Sequence, residues 1–108
     1  MPDDDLDQLR RVYDELVDLQ GWARFRTPRN MALALTGRVG AVATHLQFAG
    51  EGEPTAEPAA PELRAELADC LVYLVALTDA LGFDVAEEAV VRLRAAVEDS
   101  RPGAEVPA

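Results

Sequence analysis

Apolar residues recur along the chain at helical spacing and nowhere alternate as a strand would. The first run is Leu6, Leu9, Val12, Tyr13, Leu16 and Val17, one face of an amphipathic helix that Gly21 ends. Asp3, Asp4 and Asp5 precede it, where a helix N-terminus favours negative charge. A short connector, WARFR, leads to Thr27-Pro28, an N-cap followed by a proline tolerated at the first helical position. The second helix is expected to reach about Phe48. Met31, Leu33, Leu35, Val39, Val42 and Leu46, with alanines between, make it apolar nearly all round. That texture predicts burial on most sides, and in so small a chain such burial calls for a second subunit.

Residues 49–61 read as a Pro- and Gly-rich loop. From Glu62 a third helix carries Leu63, Leu67, Cys70, Leu71, Leu74, Leu77 and Leu81 and closes at Gly82. Asp84 and Glu87 form a capping-box-like start to a fourth helix, with Val85, Ala89, Val90, Leu93 and Val97 on one side. Ser100-Arg101-Pro102-Gly103 stops it. The expectation is an all-α four-helix bundle in one domain over residues 1–108, with 1–5 and 103–108 as flexible ends.

Composition narrows the partners. The formal charge is -10, and all ten basic residues are arginine. With no basic stripe to release counterions, a nucleic-acid polymer or an anionic membrane is not an expected partner. No apolar run approaches the ~20 residues of a membrane span. An acidic start without a signal-peptide pattern and a single cysteine, Cys70, predict a cytoplasmic protein. Cys70 reads as core filler, and the only histidine, His45, as a packed or partly exposed side chain rather than a ligand. The lysine-free, Ala- and Val-rich composition suggests a GC-rich bacterial source.

Two stretches could carry chemistry. Glu66 and Asp69 lie three apart on the third helix, so both carboxylates leave one face, and Tyr73 follows one turn later. Paired carboxylates in a bundle can hold Mg²⁺ or Mn²⁺, although a solvated acidic edge is the commoner meaning of such spacing. The second stretch is WARFRTPRN, where Trp22 and Phe25 sit among Arg24, Arg26 and Arg29. Aromatic rings beside guanidinium groups suit a planar or anionic ligand, or else plug the end of the bundle.

Taken in order, GWARFRTPRNMALALTGRVG, then HLQF, then ELADCLVYLVALTDALGFDV resemble the MazG-like all-α nucleoside triphosphate pyrophosphohydrolases, most closely the dCTPase-like branch. The resemblance spans roughly residues 9 to 102. It implies a bundle that assembles as a dimer or tetramer and hydrolyses an NTP or dNTP to the monophosphate and pyrophosphate. It also implies Mg²⁺ held by Glu-x-x-Glu on one helix and Glu-x-x-Asp on the next. The second half carries over to Glu66 and Asp69. Where the first half reads Gly-Glu-Val-Gly-Glu-Leu-Ala-Glu, this chain has Gly37, Arg38, Val39, Gly40, Ala41, Val42, Ala43 and Thr44. The fourth helix keeps Arg92 but lacks the family's asparagine and tyrosine. Tyr13, Trp22, Phe25, Arg26, Asn30, Phe48 and Tyr73 fall where the resemblance implies a wall around the nucleobase.

Arg38 is therefore expected to bridge Glu66 and Asp69, because a planar guanidinium matches carboxylates. The reading placed first is a MazG-like protein that has lost Mg²⁺-dependent hydrolysis and keeps an aromatic small-molecule pocket, with no cofactor. Its ligand would be a nucleotide or an unrelated metabolite, with Glu66, Asp69 and Arg38 serving any metal-independent chemistry. The alternative is a weak (d)NTP pyrophosphohydrolase using Mg²⁺ on Glu66 and Asp69. A structural or regulatory subunit is the third reading.

Overall fold

Three of the four described α-helices begin where a side chain accepts from an exposed N–H group of the first turn. The computed structural model describes residues 4–47 and 60–103. Helix α1 runs Asp5–Gln20, with the Asp4 carboxylate accepting from the Asp7 amide at 2.7 Å. It thus starts inside the segment expected to be a loose end. Gly21 closes it in the left-handed region at φ 67°, which glycine adopts without Cβ strain. The connector winds a 3₁₀ turn, Ala23–Phe25. Helix α2, Pro28–Leu46, starts as its Thr-Pro pair predicts, the Thr27 hydroxyl accepting from the Asn30 amide at 3.2 Å. Helix α3 spans Pro61–Ala80. Helix α4 spans Val85–Ser100, and the Asp84 carboxylate accepts from the Glu87 amide at 3.0 Å. All described helical elements agree with the expected all-α fold; no strand occurs among the described residues.

The core centres on α3. Val75 is 1% exposed, and Ala76 and Thr78 are buried beside it. The Thr78 hydroxyl is satisfied within its own helix, donating to the Leu74 carbonyl at 3.0 Å. Val17 from α1 and Met31 from α2 complete the buried set. The closest helix packing is α2 on α3, with lighter packing of α1 on α3. Arg10 adds a tie from α1 to α3, its Nε donating to Asp79 at 2.9 Å.

Within one chain the apolar faces of α2 and α4 stay largely open. Only Met31 of α2 is buried, and Leu33 is 61% exposed. The reason is that α2 packs mainly on α3, which leaves its other faces largely open. The apolar stripe of α4 is likewise open, with Leu93 66% exposed and Val90 and Val97 about half so. The radius of gyration is 18.1 Å, against about 13 Å for a closed domain of ~100 residues. No described helix is long and apolar enough to cross a membrane.

Candidate functional site

The connector between α1 and α2 is locked by hydrogen bonds that its own sequence supplies. Asn30, in the first turn of α2, donates from Nδ2 to the Phe25 carbonyl at 2.9 Å. The Phe25 amide in turn donates to the Trp22 carbonyl at 2.8 Å. Trp22 and Phe25 are thereby held as partly exposed rings at one end of the helices. Arg24 lies over the Phe25 ring at 4.7 Å, and Arg26 over the Tyr13 ring at 4.8 Å. Arg26 is fixed by an ion pair to Asp14 at 2.6 Å. Tyr13 points its hydroxyl to the Met31 sulfur at 3.5 Å. Burial pushes the Tyr13 phenol above its usual pKa, and the positive charge of Arg26 opposes that push.

A cleft of about 300 Å³ opens among these groups, lined by Tyr13, Trp22, Phe25, Arg26, Asn30 and Tyr73 together with Met31 and Ala34. Six of the seven residues expected at a base wall thus meet in one place. Phe48 lies outside the described residues. A neighbouring hollow, also about 300 Å³, shares Tyr13, Trp22 and Tyr73 and continues past Leu9, Val12, Leu16 and Val72 to Asp69. Asp69 and Tyr73 therefore connect the aromatic end to the charged face of α3.

On that face Arg38 of α2 reaches across to both carboxylates. Its Nη1 is 3.3 Å from Glu66 Oε2 and 3.9 Å from Asp69 Oδ2. The bridge expected from the sequence is present, formed by the closest helix pair in the fold. The hydrogen bond to Glu66 is the main cause that raises the Arg38 pKa, followed by the Glu66 and then the Asp69 charge. Arg38, Glu66 and Asp69 keep side-chain exposures of 43%, 22% and 48%, so solvent screens the trio. Glu66 and Asp69 have the hard oxygen donors that Mg²⁺ takes, but as they stand the guanidinium faces both. They fit a divalent ion only when Arg38 has let go. Among the described residues no group of three or more His, Cys, Asp or Glu could hold a metal.

Sequence reasoning missed Met31, Ala34 and Asp14. Met31 and Ala34 lie on the helix already assigned to the core, where an apolar residue lining a cleft looks like any other core residue. Asp14 pairs with a partner twelve positions away across a turn, and no local pattern announces that. Cys70 is half-buried and His45 is exposed on the last turn of α2.

An all-helical fold with a ring-lined cleft beside paired carboxylates has the build of a site for a ligand carrying a planar ring and charged groups. Comparison with known proteins makes this more definite. No family model matches the chain. The human dCTP pyrophosphatase 1 is 41% identical over 80 residues, 70% of this chain and 47% of the relative. The mouse dCTP pyrophosphatase 1 is 34% identical over 96 residues, 85% of this chain and 56% of the relative. The chain thus spans about half the length of the curated relatives it matches. The crystal structure of a pyrophosphatase from Archaeoglobus fulgidus superposes with a TM-score of 0.71 at 25% identity, covering 94% of this chain and 96% of the other. The chain belongs to the MazG-like, dCTPase-like family of all-α nucleotide pyrophosphohydrolases.

Proposed function

We propose that the chain is a (d)NTP pyrophosphohydrolase, in which water cleaves the α–β phosphoanhydride bond to give the (d)NMP and pyrophosphate. The similarity to dCTP pyrophosphatases supports hydrolysis better than the loss of activity expected from the altered residues of α2. The observation that carries the reading is the aromatic cleft running into Asp69, in a chain so related. Trp22, Phe25 and Tyr73 offer faces on which a base can stack, and Asn30 and Arg26 stand at its edge. Glu66 and Asp69 would hold Mg²⁺ once released by Arg38. When bound, the ion supplies charge neutralisation at the phosphates and a more acidic water. Pyrophosphate release from dCTP, dTTP, dUTP and the four NTPs with Mg²⁺ or Mn²⁺ tests the proposal. Turnover that Asp69→Ala removes is the expected result; no release from any substrate sinks it.

A second reading rests on one specific observation, the Arg38 contact to both carboxylates. In it, metal-dependent hydrolysis is lost and the cleft binds a small molecule without metal. Its signature is thermal stabilisation by nucleotides or metabolites in EDTA, with no pyrophosphate released.

We also propose that the protein works as a homo-oligomer, a dimer or tetramer, in a bacterial cytoplasm and without a nucleic-acid or membrane partner. The open apolar faces of α2 and α4 support the assembly, since water-exposed leucines and valines gain by burial against a second copy. Light scattering on the eluted protein at micromolar concentration tests it, and a monomer mass would refute it.

A further inference from the structure

The trio of Arg38, Glu66 and Asp69 has three properties that together limit what it can bind. The first is charge. Two carboxylates face one guanidinium, so by count one negative charge remains and the site still attracts a cation. The second is geometry. Both contacts are made through Nη1 alone, at 3.3 Å and 3.9 Å, without the two-pronged fork that gives arginine–carboxylate pairs their strength. The third is exposure. With Arg38 43% exposed, water can replace the contact at little cost. A one-pronged, half-exposed contact is displaceable, and the oxygens it covers are those a hard divalent cation would take.

The geometry points to Arg38 as a built-in competitor of a divalent cation, the guanidinium and the ion excluding one another at Glu66 and Asp69. An ion seated between the two carboxylates would lie within roughly 5 Å of an unmoved guanidinium, where a charge of one and a charge of two repel strongly even in water. Arg38 must swing out for the ion to enter, and its return favours the ion's departure. This inference rests on the reading that Glu66 and Asp69 take the ion, and it names what sets the affinity there. Metal demand is then a property of α2 as much as of the carboxylates on α3.

The test uses Mn²⁺ alone, titrated without nucleotide and followed by its free-ion spin-resonance signal. Arg38→Gln is expected to tighten Mn²⁺ binding about tenfold. Arg38→Lys, which keeps the charge, should stay within about threefold of the parent chain. Adding Asp69→Asn to Arg38→Gln should abolish the gain and so place the ion at this site. Helicity and melting without metal verify that each variant folds, and Arg38→Met serves if the glutamine variant does not. Equal Mn²⁺ affinity in the parent and Arg38→Gln overturns the competition and leaves the hydrolase reading standing. Absence of Mn²⁺ binding in every variant overturns the competition and the metal-dependent form of that reading together.

Discussion

The connector at residues 22–30 lines the cleft, and the centre of α2 at residues 37–44 sends Arg38 to the carboxylates of α3; the two are built in opposite ways. In the connector, structure is self-contained. Thr27 caps α2, Asn30 holds the Phe25 carbonyl, and Arg26 pairs with Asp14, so the rings are fixed before any ligand arrives. In the centre of α2, Gly37, Gly40, Ala41 and Ala43 offer no side-chain hydrogen bonds, and the Thr44 hydroxyl turns back to the Gly40 carbonyl at 3.1 Å. Arg38 alone reaches outward there, and its partners lie 28 and 31 positions further on, in α3. The difference separates a preformed wall from an adjustable charge. Preformed groups lose little freedom on binding, whereas a half-exposed guanidinium can be exchanged for another cation.

Substitutions can break this contrast, beginning with the wall. Trp22→Ala should weaken nucleotide binding by about 1–3 kcal/mol, the worth of one base–aromatic stack, read by calorimetry with a non-hydrolysed nucleotide. An unchanged affinity would mean that the base lies elsewhere. Asn30→Ala releases the Phe25 carbonyl and should cost about 1 kcal/mol of stability, with a higher KM and a nearly constant kcat. A fall in kcat alone would give Asn30 a part in the chemistry instead of in shaping the cleft. Arg38→Gln should change the metal-free melting temperature least of the three, because its pair is solvent-screened. A marked drop in melting temperature would make the bridge a structural tether and end its role as an exchangeable charge.

Much of the fold was legible because its signals are local. The carboxylates of Asp4 and Asp84 and the hydroxyl of Thr27 each meet an amide three residues ahead, and Gly21 sits where α1 must turn. The 3₁₀ turn was not legible, since Ala23, Arg24 and Phe25 have no capping residue or periodicity to mark it. What covers α2 was not legible for a related reason. Apolar texture reports what a helix can bury, and the fold of one chain packs it mainly against α3.

The sequence by itself determined four helices, their starting points, and which residue types could face a ligand, because helix periodicity and capping act within three or four positions. Only the tertiary structure decided that Tyr13 and Tyr73, sixty positions apart, line one cleft with the connector rings. It also decided that Arg38 meets Glu66 more closely than Asp69. Such choices depend on how α2 lies across α3, and that crossing is set by side chains packing between helices, which no local pattern in either helix encodes.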